Sequence, residues 1–181
     1  MKGIVFTEFM EMVEDKFSPD IADHIIEVSD LPSGGIYTVL GTYDYSEMLQ
    51  LVTTLSQVTH LNVPDLVRTF GQHLFDRFVS IYPQFFDGPN TTFEFLENLE
   101  DYIHVEVYKL YPEAQLPNFD YECVSPHKLV MVYRSACPFA DLAEGLLKGC
   151  IEHFKENIEL QRDNLTGGQT GTAARFVLIR Q

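Results

Sequence analysis

The stretch TTFEFLENLEDYIHVEVYKLYP, residues 91–112, decides how this chain is read. Thr91 and Glu94 have the spacing of a capping box, and Pro112 ends the run. Between them Leu96, Leu99, Ile103, Val107 and Leu110 recur at intervals of 3, 4, 4 and 3, which predicts one amphipathic helix with its apolar stripe toward a core. His104 lies about 100° round from Ile103, at the border of the buried face. A histidine there packs, titrates or binds a metal, and periodicity alone favours packing.

Upstream the chain keeps helical periodicity. Ile4, Phe9, Met12, Val13 and Phe17 predict a first helix. Ser18 is placed to cap a second, with Pro19 at its first position, running to Val28. After the loop SDLPSGG, IYTVLGTYDY reads as a short strand or an irregular turn. SEMLQLVTTLSQVTHL and VPDLVRTFGQHLFDRFVSIYP then give two further helices separated by NVP. Downstream the period changes: FDYECVS and KLVMVYRS alternate about PHK as a hairpin, CPFADLAEGLLKGCIEHFKEN returns to helix, and IELQRDN and AARFVLIRQ form a second hairpin around LTGGQTG. The expected fold class is α+β: a helical lobe over about 1–60, then a lobe of antiparallel sheet plus helices over about 61–181, within one domain.

Composition narrows the function. The chain has 181 residues, 45% of them hydrophobic, with 14 Phe and 9 Tyr, enough to bury a sizeable core. A formal net charge of -15 disfavours nucleic acid and anionic bilayers as partners and leaves small neutral ligands and basic protein surfaces. No apolar run approaches the ~20 residues of a membrane span, and acidic residues interrupt the N-terminal MKGIVFTEFMEMVEDKF where a signal peptide would be apolar. A cytoplasmic protein is expected. Cys123, Cys137 and Cys150 are odd in number and widely spaced, without a CxxC, so the expectation is reduced thiols, with Cys150 in a core.

Few motifs carry chemistry. His24, His60, His73, His127 and His153 make no HxxxH or HExxH pair, which disfavours a multi-histidine metal site. A lone histidine still holds iron where a porphyrin brings the other ligands, given a large apolar slot and donors for the propionates. Tyr133 and Ser135, two apart in a predicted strand, share a face from which both hydroxyls could donate to a carboxylate; the alternative is that they cover the sheet. TGGQTG lacks the Lys-Ser/Thr of a phosphate loop and falls between strands, as a hairpin turn does. No nucleophile elbow or triad spacing is present.

In order and spacing, MKGIVF, FGQHLF, YIHVEVYKLYPEAQLPNF, YRSAC, AEGLLKG and the closing hairpin resemble the H-NOX family, haem nitric oxide/oxygen-binding domains related to the sensor region of soluble guanylate cyclase. The resemblance covers essentially the whole chain and implies the bacterial stand-alone type, with haem b (iron protoporphyrin IX) buried between the lobes. It implies that His104 is the proximal iron ligand and that Tyr133 and Ser135 are the first members of a YxSxR motif holding the propionates. Pro117 matches a proline that presses on and distorts the porphyrin, and Val5, Phe9, Leu74, Phe78, Leu142 and Leu146 match distal-pocket and haem-contact positions. Relatives that hold oxygen stably carry a distal tyrosine seven residues beyond the motif serine. Leu142 stands there, so the resemblance implies a non-enzymatic sensor of nitric oxide and carbon monoxide that discriminates against oxygen. Gas binding would loosen the bond to His104 and move its helix. No output domain is expected after Gln181, so the resemblance implies that the readout falls to a separate partner, a histidine kinase or a cyclic-di-GMP enzyme.

Cys137 departs from the motif, standing where the family has arginine. A thiol offers neither charge nor fork to a carboxylate, and Arg134 projects from the other strand face unless a bulge turns it inward. The competing reading is a divergent module with weak or lost haem binding that takes another apolar ligand or partner in the same slot. A small enzyme using His104 as a general base is a third, without an orienting partner at recognisable spacing.

Overall fold

The computed structural model describes residues 1–165 and 170–181. Most of the turn expected in LTGGQTG, residues 166–169, lies outside the described residues. Among the described residues the fold is a set of helices with one four-stranded antiparallel sheet. The chain divides into two compact units, Met1–Phe70 and Gly71–Gln181. Among the described residues no helix is long and apolar enough to cross a membrane.

In the first unit, α1 (Gly3–Lys16), α2 (Pro19–Val28) and α3 (Tyr45–Thr59) precede the start of α4 (Val63–Ile81). Ser18 caps α2 as its position predicts, accepting from Ile21 N at 3.2 Å. Phe6, Phe9, Met12, Ile25, Met48, Leu51 and Leu55 are fully buried. The IYTVLGTYDY segment is irregular, with a single bridge pairing Thr42 to Lys2.

That segment explains the glycine of MKGIVF. Gly3 N donates to Gly41 O at 2.8 Å, and a Cβ at position 3 would fall 1.8 Å from the Thr38 carbonyl oxygen. Backbone, unlike a side-chain tip, cannot step aside. Gly3→Ala is therefore expected to destabilise by about 1–3 kcal/mol or more, read as a lower urea midpoint.

A buried carboxylate fastens the same loop to α3. Glu47 accepts from Ser33 N at 3.4 Å, from the Ser33 hydroxyl and from Tyr37 OH at 3.0 Å. Burial first, and then the adjacent Glu47, push the Tyr37 phenol up to about 12, with the Ser33 hydrogen bond opposing. The folded state thus holds this proton more tightly than the unfolded chain, so its contribution is complete below pH 10.0 and lost as pH rises through about 12. Urea midpoints are expected to fall across that interval, and to fall less in Tyr37→Phe.

The second unit holds the end of α4, α5 (Thr92–Glu97), α6 (Val105–Leu110), β1 (Asn118–Ser125), β2 (Lys128–Arg134), α7 (Ala140–His153), β3 (Ile158–Asn164) and β4 (Ala173–Arg180). The strand order is β1-β2-β4-β3, all neighbours antiparallel. Alternation aims Phe119, Leu129, Met131, Tyr133, Ala174, Phe176 and Leu178 at one core. Cys150 on α7 sits in that core, where burial pushes its thiol up and Glu156 adds to the effect.

Candidate functional site

The opening stretch does not fold as one α-helix. Thr91 Oγ accepts from Glu94 N at 3.2 Å and starts α5, while the Glu94 carboxylate reaches back to Asn90 N at 2.8 Å. After Asn98 the chain widens into a π-helical turn, Leu99–His104, before α6 resumes. Asn98 O accepts from both Tyr102 N at 3.0 Å and Ile103 N at 3.2 Å, the second closing the wider i to i+5 ring. A wider turn advances fewer degrees per residue, so the predicted stripe is lost along its length. Leu96 and Ile103 are buried, Leu99 and Val107 half-buried, and Leu110 is 53% exposed. The same turn carries His104 from the border of the face into it, at 9% exposure. Single π turns inside α-helices concentrate at functional sites.

Around His104 the structure places two residues that periodicity did not single out. Glu100 Oε1 lies 3.2 Å from His104 Nδ1, without hydrogen-bond alignment, and buried Nδ1 makes no hydrogen bond. That same oxygen accepts from Phe119 N at 2.6 Å, tying the π turn to β1. The Phe119 ring stands 6.3 Å from the His104 ring and 5.5 Å from that of Tyr133. His104 and Tyr133 are therefore brought to one aromatic neighbour although 29 positions apart. The spacing of Glu100, four before His104, was the available signal for it.

Tyr133 and Ser135 converge on the backbone of Cys137. Tyr133 OH donates to Cys137 O at 3.4 Å, and Ser135 Oγ accepts from Cys137 N at 3.0 Å. Burial raises the Tyr133 phenol above its ordinary value, opposed by its hydrogen bond to Ser135 and more weakly by the charge of Arg162. Cys137 is buried and offers no positive charge. Arg134 projects from the opposite face, exposed and ion-paired with Asp120. Arg162 is held by Asp141 at 2.7 Å and Glu144 at 3.1 Å.

On α4, Leu74 is buried and Phe78 half-buried; on α7, Leu142 and Leu146 are half-buried. Glycines let these two helices meet: a Cβ at Gly71 would fall 2.5 Å from Leu142 O and 2.7 Å from Gly145 Cα. Leu74 and Phe78 follow Gly71 on one helical face, and Leu142 and Leu146 flank Gly145. Pro117 is half-buried immediately before β1. In the first unit, Val5 is half-buried, and Phe9 is fully buried with its ring edge-on to Phe70 at 5.2 Å.

A family profile described as Haem-NO-binding matches residues 2–162. The H-NOX protein of K. algicida, solved as unliganded Fe(II), is 39% identical, with a TM-score of 0.93, over 100% of this chain and 97% of that one. The H-NOX of Shewanella woodyi, solved in the Fe(II)CO state with IWP-051 bound, is 41% identical, with a TM-score of 0.84, over 100% and 95%. The H-NOX of S. oneidensis in the Fe(II)NO state is 27% identical, with a TM-score of 0.88, over 100% and 99%.

Proposed function

The chain belongs to the Haem-NO-binding (H-NOX) family of sensor domains, which are not enzymes, and from that premise we propose a ferrous haem b sensor of nitric oxide and carbon monoxide that discriminates against oxygen. The observation that carries the proposal is His104: a buried imidazole, on a π turn, with Nδ1 3.2 Å from the Glu100 carboxylate, the arrangement in which the other ring nitrogen takes a metal. Bound haem supplies the iron at which a diatomic gas coordinates. His104 is the residue to hold that iron, and the Tyr133 and Ser135 hydroxyls, already side by side, are donors for propionate carboxylates. Pro117, Leu74, Phe78, Leu142 and Leu146 are proposed haem-facing positions, as are Val5 and Phe9.

Leu142 has no hydrogen-bond donor, so nothing at that position favours a strongly polarised diatomic such as oxygen over nitric oxide or carbon monoxide. Relatives solved with carbon monoxide or nitric oxide on ferrous iron support the ligand class. The readout is assigned to a separate cytoplasmic protein, a histidine kinase or a cyclic-di-GMP enzyme, and the acidic surface suits a basic patch on it.

Cys137 favours a second reading, in which propionate anchoring is weak and haem is held loosely or lost. The absorption spectrum separates the two. Purified protein supplied with haem and reduced should show a Soret band that air leaves unchanged. No Soret band would leave the second reading standing.

A further inference from the structure

The proposed iron ligand has a carboxylate behind it. Glu100 Oε1 is 3.2 Å from His104 Nδ1, with both side chains largely buried, at 26% and 11% exposure. This is not an ordinary i, i+4 pair on a solvated helix face, because the same oxygen is anchored to a strand by Phe119 N at 2.6 Å. Yet Nδ1 makes no hydrogen bond. The 3.2 Å distance suits one, so what is missing is alignment.

An imidazole that binds iron through Nε2 carries its proton on Nδ1, and the acceptor of that proton sets both the ring's orientation and its basicity. A carboxylate leaves more electron density on the metal-facing nitrogen than a neutral carbonyl does. We propose that Glu100 is the acceptor for the Nδ1 proton of iron-bound His104, a positioning residue that fixes the ring and strengthens its bond to iron. Because Phe119 N–H pins the carboxylate, the ring is referenced to β1 rather than to the π turn alone. The inference rests on iron ligation by His104.

The test is resonance Raman spectroscopy of the reduced, haem-loaded full chain. Glu100→Gln keeps an oxygen for Phe119 N–H but loses the charge; its iron–histidine stretch is expected at lower frequency than wild type. Haem transfer to apomyoglobin should be roughly 10-fold faster, the lower range for losing an outer partner of a ligand. Glu100→Asp keeps the charge one methylene further away and should fall between, which also supplies a variant should the amide fail to fold. An unchanged stretch in the folded variants overturns the role of Glu100 while leaving His104 as ligand. A wild-type stretch that is absent, or that survives His104→Ala, overturns the ligation and this inference with it.

Discussion

Replacing His104 by alanine is expected to remove the histidine-ligated Soret spectrum and iron–histidine stretch of the reduced, haem-supplied protein, and to lower haem affinity by more than about 100-fold. Loss of an outer partner alone costs about 10- to 100-fold, and here the ligand itself goes. The effect on the haem-free fold should be much smaller. His104 Nδ1 makes no hydrogen bond, so truncation leaves no donor stranded and gives up packing against neighbours such as Phe119 and the 3.2 Å approach to Glu100, whose carboxylate keeps its bond from Phe119 N. A packed structural histidine predicts the reverse pair of results: a clear loss of stability and an unchanged haem spectrum. Urea unfolding of the haem-free variant beside its spectrum with haem therefore answers whether this side chain packs or binds. Free imidazole, added to fill the vacated space, should restore a nitrogen ligand in part.

Local signals in the sequence carried most of the helix and strand positions, because they are written in residues close together. Ser18 and Pro19 start α2, Thr91 starts α5, and the alternation of Leu129, Met131 and Tyr133 marks β2. What stayed hidden depends on residues far apart. The π turn at Leu99–His104 is coupled to β1 through the Glu100 to Phe119 bond, and a 3.6-residue period cannot register it. Extrapolating that period placed Leu110 in the core and His104 at its edge, and the structure reverses both. The β2 to β4 pairing, across α7 and β3, is likewise set by the register Tyr133↔Ala174 and not by either hairpin. At the site, strand alternation predicted the pairing of Tyr133 and Ser135, but β2 ends at Arg134, and the two converge on Cys137 through the bend that follows it.

Leu142→Tyr is expected to give a protein that, reduced and exposed to air, forms a stable oxygen complex where the wild type does not. The phenol adds a donor at the position where oxygen-holding relatives, by resemblance, carry one. A hydrogen bond to a group bearing charge is worth about 1.5–3 kcal/mol, which is roughly 10- to 100-fold in affinity. Affinities for carbon monoxide and nitric oxide should move far less, since neither needs that donor. Volume is the confounding factor. Leu142 sits where α7 meets α4, with its carbonyl against the bare face of Gly71, so a larger side chain should cost about 1–3 kcal/mol of stability by overpacking. Leu142→Phe carries the same steric load without the hydroxyl, and the difference in oxygen affinity between the two variants isolates the donor. Equal oxygen binding by the tyrosine and phenylalanine variants would mean that discrimination is set by the shape of the slot or by the strength of the His104 bond. A wild-type protein that already holds oxygen in air would mean that the donor comes from elsewhere in the chain.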